Sequence, residues 1–143
     1  MIITEMTEAD RAVWDAYVRS SAGGLPYHLS GWRQVLAKTY GYETHFMMAT
    51  EEGHLVGVLP LFIIRSFLVG SRATTMLGGL CAENADVAQA LIAQGKEVAG
   101  QAKVKQLVLQ DVRRPWPGDL RTTTDHVHWI IDMHPGSDAL RRP

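Results

Sequence analysis

The stretch 54-HLVGVLPLFIIRS-66 decides the fold. From Leu55 to Ile64 every residue is apolar, Gly or Pro, with Val56, Val58, Leu59, Leu61, Phe62, Ile63 and Ile64 supplying bulk and β-branching. The run is too short to cross a bilayer. It shows no polar alternation, so it predicts a strand buried on both faces, with helices above and below. Pro60 has no N–H to give a ladder, and the strand must therefore carry a bulge or lose a neighbour there.

Working outward, Glu43–Thr50 reads as a strand and Glu51-Glu52-Gly53-His54 as the tight turn that folds it back on the buried run as an antiparallel hairpin. Upstream, Ser30 is placed to cap a helix in which Trp32, Val35, Leu36, Thr39 and Tyr40 share one face, with Gly41 ending it in the left-handed conformation. Leu25-Pro26-Tyr27-His28 reads as extended, as the residue before a proline prefers. Thr7-Glu8-Ala9-Asp10 resembles a capping box with Asp in place of Glu. It opens a helix to about Ser20 carrying Val13, Trp14, Tyr17 and Val18. Ile2-Ile3 reads as a short edge strand. Downstream, 66–71 is a turn, 72–77 a strand interrupted by Gly78-Gly79, and Asn84 caps a long helix through Ala102. Strands are expected at Lys105–Asp111 and His126–Met133, with an irregular proline-bearing segment between them and the start of a further helix in the last ten residues. The order is that of an α+β domain with a mixed sheet covered on both faces.

At 143 residues this is one domain's worth of chain. Fourteen basic against fifteen acidic residues leave a net charge of −1, which gives no reason to expect specific DNA binding, another nucleic-acid partner or an anionic membrane surface. The N-terminus has no basic start followed by an apolar segment, no run is long enough for a membrane span, and the cytoplasm is the expected location. Cys81, the single cysteine, reads as core filler. His126 and His128 share a strand face at metal-competent spacing, but no third ligand is identifiable, and neither a bound metal nor a cofactor is expected. Glu51-Glu52 reads as a solvated turn, and the serines lie in turns or caps. Arg65-Ser66-Phe67-Leu68-Val69-Gly70-Ser71-Arg72 follows a strand and holds Arg and Gly. Its glycines are few, and it leads into the strand-like ATTML rather than a helix whose N-terminus would take a phosphate.

Order and spacing nevertheless resemble one family across nearly the whole chain: the FemAB-like acyltransferases, in particular the group associated with exosortase (PEP-CTERM) and exopolysaccharide systems. The resemblance lies in Trp14 with Tyr17-Val18, Tyr27-His28 with Trp32, Tyr40-Gly41 before a strand, Gly57-Val58-Leu59-Pro60-Leu61, Arg65-Ser66-x-Leu68-x-Gly70, Gly78-Gly79 and the Leu107-x-Leu109 strand. It implies a GNAT-like fold, a mostly antiparallel sheet with helices on both faces, and transfer of an acyl or aminoacyl group to an amine, with aminoacyl-tRNA as donor in the peptidoglycan branch. Residues 1–143 correspond to the first of the family's two GNAT-like halves; the second would begin near Leu140–Pro143. The resemblance therefore implies a transferase half-domain of cell-envelope or exopolysaccharide synthesis, active as a homodimer or with a separately encoded second half. The alternative is a non-catalytic binding or remnant domain. Self-association is expected through an apolar patch around 126-HVHWII-131. Candidate substrate-binding residues are Arg65 and Arg72 for an anionic group and Tyr27 and His28 for a cleft wall; no catalytic residue is assigned.

Overall fold

The protein was analysed as a computed structural model, which describes residues 1–68, 70–111, 113, 116 and 119–124. The chain runs β1 (Ile2–Glu5), a 3-10 turn at Glu8–Asp10, α1 (Arg11–Ser20), a second 3-10 turn at Pro26–His28, and α2 (Gly31–Tyr40). It continues through β2 (Glu43–Glu51), β3 (His54–Ile64), β4 (Arg72–Thr75), β5 (Cys81–Ala82), α3 (Ala85–Gln101) and β6 (Leu107–Val108). One sheet has the order β1-β2-β3-β4-β6, with β5 paired to β3. All pairings are antiparallel except the parallel β4–β6 pair, so the sheet is mixed as expected.

The buried run is the inner strand: Val56 to Ile63 are all buried. Along it the side chains divide by parity. Leu59, Leu61 and Ile63 pack with α3, whereas Val58 and Phe62 pack with α1 and α2. Pro60 sits opposite Phe46 on β2, but on its other side it has lost its neighbour. There β5 pairs with Gly57 and Val58, β4 pairs with Leu61 to Ile64, and Leu59 and Pro60 fall in the gap. The register also holds a bulge. Ala49 faces Gly57 but Thr50 faces Leu55, so Val56 is an extra residue and β3 turns Val56 and Gly57 toward the same helix, α3. The Val56 carbonyl accepts from the Tyr17 hydroxyl of α1 (2.7 Å) and from the Glu83 amide (3.1 Å), so the bulge leaves it satisfied.

The caps follow the sequence. Asp10 Oδ2 accepts from the Thr7 amide (2.8 Å) and hydroxyl (2.6 Å), Asn84 Oδ1 accepts from the Val87 amide (2.9 Å), and Gly41 closes α2 at φ 68°. Other expectations are corrected. Pro26–His28 is a 3-10 turn rather than extended, because His28 closes it through its own amide to the Leu25 carbonyl and through Nδ1 from the Leu25 amide (3.0 Å). Ser30 stands at the start of α2 in helical conformation without a side-chain cap; its amide instead donates to Asp15 Oδ1 (2.8 Å). Of the predicted α2 face only Leu36 is buried, and Val35 and Tyr40 are exposed. Val13 on α1 is likewise exposed. The strands expected over 72–77 and 105–111 shorten to β4 and β6, and Cys81–Ala82 forms a strand where none was expected. The strand at 126–133, its histidine pair and the proposed apolar patch lie outside the described residues.

Candidate functional site

Three places combine polar chemistry with position. The first is the junction where β4 gives way to β5. His28 is completely buried there, with Nδ1 accepting from the Leu25 amide; the proton therefore sits on Nε2, which donates to the Gly78 carbonyl (3.1 Å). Arg113 Nη2 reaches the same carbonyl (2.6 Å) and that of Leu80 (3.0 Å), and Nη1 donates to the Gly23 carbonyl. Asp111 completes the cluster. It accepts from Arg113 Nε (3.0 Å), Nη2 (2.9 Å) and backbone amide (2.9 Å), and from Trp116 Nε1 (2.9 Å). Arg113 thereby fastens the 23–28 loop and the β4–β5 connection to one carboxylate. Sequence reading left Asp111 at a strand end and Arg113 in an irregular segment; an Asp two residues before an Arg is too common a pattern to single them out.

Burial pushes the His28 imidazole below its ordinary pKa, and the Arg113 cation adds to this against the Gly78 carbonyl and Asp111. Burial by itself would raise the Asp111 carboxyl, but the hydrogen bonds from Arg113 and Trp116 outweigh it and hold the group below the usual carboxylate range. Both shifts make acid destabilising, in separate windows. The unfolded chain takes a proton on His28 near pH 6.5 while the folded chain resists it, so stability should fall as pH drops from about 6.5 toward the lowered folded value. The Asp111 contribution is present above about pH 4 and lost as pH falls through its lowered folded pKa. Urea unfolding at stepped pH measures this. In His28→Asn the amide oxygen can still accept from the Leu25 amide without titrating, and the slope between pH 6.5 and 5 should flatten. An unchanged slope would show that other groups set it.

Cys81 is buried in the α1–α2 side of the core, and burial pushes its thiol up, away from the thiolate a nucleophile requires.

The second place is the start of α3, which follows β5. Asn84 already occupies the Val87 amide, the flanking side chains are Glu83 and Asp86, and no glycine brings the backbone close. An anionic group meets two carboxylates there. The residues do not fit the pyrophosphate of an acyl-CoA.

The third place is the opposite end of the sheet. Arg65 donates to Glu43 Oε2 (3.0 Å) and to the Ala102 carbonyl at the end of α3 (3.1 Å). It borders a groove of ≈ 310 Å³ lined by Tyr40, Gly41, Tyr42, Glu43 and Ile63, where Tyr40 stacks on Tyr42 (5.5 Å) and Tyr42 on Phe62 (5.5 Å). Arg72 pairs with Ile64 on β3 and brackets the same loop from its other side. Tyr27 is half-buried beside Trp32, 6.1 Å between ring centres. The structure thus joins Arg65 to Arg72 and Tyr27 to His28 but keeps the pairs apart. The Arg72 end of β3 is at Ile64 and the β5 end at Val58, roughly 20 Å along the strand at ~3.3 Å per residue. Among the described residues no three of His, Cys, Asp and Glu converge as a metal site would require, and no helix is long and apolar enough to cross a membrane.

The fold is that of the GNAT acyltransferases, an α+β class defined by this open, mostly antiparallel sheet with helices on both faces. Among solved structures the chain is similar to FemX (21% identity, TM-score 0.60) over 73% of its own length. It spans only 25% of FemX. It also resembles the aminoglycoside 6'-N-acetyltransferase of Acinetobacter haemolyticus (17%, TM-score 0.62), covering 92% of this chain and 100% of that one. The ribosomal-protein-alanine N-acetyltransferase of Brucella melitensis biovar Abortus is similar in the same way (17%, TM-score 0.64), with 92% and 99% covered. No protein-family profile matches the sequence, and no curated protein does.

Proposed function

We propose that the chain is a FemAB-like N-acyl or aminoacyltransferase half-domain that works in cell-envelope or exopolysaccharide synthesis and takes no acyl-CoA of its own. The observation that carries this reading is the start of α3: a GNAT-like fold in which the helix N-terminus next to the sheet is capped by Asn84 and flanked by Glu83 and Asp86. Such a domain has a use beside a second half that holds the donor. The likeness to a quarter of FemX supports that arrangement, with a second copy or a separate polypeptide as the other half. In this reading Tyr27 forms a wall of the acceptor cleft, held by the buried His28 behind it, and Arg65 and Arg72 face an anionic group at the far end of β3.

The full hydrogen bonding of His28, Asp111 and Arg113, to the backbone and to neighbouring side chains, also favours a second reading, a non-catalytic binding domain. The two part on whether a supplied second half restores transfer. The first reading is tested by calorimetry of the chain with acetyl-CoA and with an aminoacyl-tRNA mimic. No binding heat is expected from either. Micromolar binding that the Arg65→Ala, Arg72→Ala double variant abolishes would overturn it, because the chain would then hold its own donor site.

A further inference from the structure

We propose that Phe67 and Leu68, beyond the end of β3, form a membrane-contacting tip: they enter the interfacial layer of an anionic bilayer while Arg72, Lys103 and Lys105 face its headgroup phosphates. The first observation is exposure. Phe67 is 102% and Leu68 91% exposed, beyond every other large apolar residue described, and the two are adjacent in a turn after β3. Turn chemistry does not ask for them, because Ser66, Gly70 and Ser71 already supply the residues that a reversal uses. Ile64 and Arg72 form the last β3–β4 pair, so Phe67 and Leu68 lie beyond the end of that ladder.

The second observation is charge. Arg65 and Arg72 bracket the loop. Arg65 donates to the Ala102 carbonyl, which brings Lys103 to the same end, and the Ala73 amide donates to the Gln106 carbonyl (2.9 Å), which brings Lys105 beside Arg72 at the start of the parallel strand. The carboxylates that pair at this end are Glu43, with Arg65 and His45, and Glu5, with His45. More basic than acidic side chains therefore lie at the end of the sheet that carries the two bare apolar side chains, in a chain whose net charge is −1. A bilayer fits this arrangement better than a protein does. A stable protein contact takes roughly 800 Å² from each partner, far more than two side chains in a turn offer. A membrane interface receives single aromatic and aliphatic side chains without a matching pocket, and basic residues beside them add to its hold through the anionic surface potential.

The inference shares Arg72 with the acyltransfer reading but is tested on Phe67, Leu68, Lys103 and Lys105, which that reading does not use, so either can fail without the other. Sedimentation with phosphatidylcholine vesicles, and with vesicles of phosphatidylcholine and phosphatidylglycerol, tests it on the full chain. Wild type should pellet with the mixed vesicles and not with the neutral ones. Phe67→Ser with Leu68→Ser should lower the partition coefficient by roughly tenfold or more. Lys103→Glu with Lys105→Glu should do the same, since each headgroup-facing cation counts for about a factor of five. All four positions are exposed, so both variants should melt as wild type does. Failure of wild type to bind, full binding by the serine variant, or equal binding to neutral vesicles would overturn the proposal. So would a serine variant with an altered melting temperature or oligomeric state, which would place the tip against protein instead.

Discussion

Trp14→Ala is expected to destabilise the fold by about 4 kcal/mol, at the upper end of single-residue effects. Trp14 is wholly buried on α1 and stacks on Phe46 of β2 at 5.3 Å, and Phe46 is the residue that faces Pro60 across the β2–β3 ladder. Its indole therefore covers the sheet beside the place where β3 has lost its neighbour on the other side. Its Nε1 also donates to the His28 carbonyl (2.7 Å), tying the 3-10 turn to α1. Truncation leaves a cavity of indole size and an unsatisfied buried carbonyl together. Trp14→Phe separates the two contributions: it keeps the stack, loses the hydrogen bond, and should cost about 1–2 kcal/mol. Urea unfolding of both variants measures this. A loss under about 1 kcal/mol for Trp14→Ala would mean that α1 is not anchored to the sheet as described.

How much of this was legible in the sequence follows from how local each signal is. The buried run, the hairpin at Glu52-Gly53, the capping box at Thr7 and the Asn84 cap rest on contacts within a few residues, and each appears where its pattern placed it. Pro60 fixed the gap in the ladder because the lack of an N–H is a property of the residue itself. The burial of α2 falls short of its periodicity. Periodicity tells which side chains share a face, but how much of that face a sheet covers depends on where the helix lies, and only Leu36 is buried. The two-residue β5 was invisible because its pairing is set by β3, some twenty positions earlier. The candidate site was the least legible part. His28 and Tyr27 stand out in the sequence, but only the Leu25 amide that fixes the His28 tautomer is local; the burial that lowers its pKa, and the Arg113 cation that adds to it, come from parts of the chain distant in sequence. The bulge at Val56 could be anticipated no better, since it is a matter of register between strands. Gly57 beside it gave the single hint, as the one residue without a side chain in an otherwise bulky run.

Gly57→Val carries that hint to a test, with an expected loss of about 3 kcal/mol. A Cβ on Gly57 would lie 2.5 Å from Val87 Cγ1, 3.0 Å from Leu91 Cδ1 and 3.4 Å from the Cys81 carbonyl. The first of these contacts cannot relax by a rotamer change, because a valine inside a helix is held to one strongly preferred χ1. The bulge explains why the space is so small. Val56 and Gly57 turn toward α3 one after the other, so this part of the strand presents two consecutive positions to a helix that elsewhere meets every second one. A second side chain must push α3 away from β3, and α3 is also held at Gly95, where an added Cβ would lie 3.3 Å from Leu59 Cδ2. With both glycines setting the approach, the helix has no direction in which to yield cheaply. Val87→Ala removes the colliding methyl, at a cost of its own of about 2 kcal/mol. Combined with Gly57→Val, however, it should cost less than the two single changes added together, with a coupling of about 1 kcal/mol or more in the relieving direction. Strict additivity in the cycle would place Gly57 and Val87 out of contact, and with that the bulge would lose its role in fixing how closely α3 packs on the central strand.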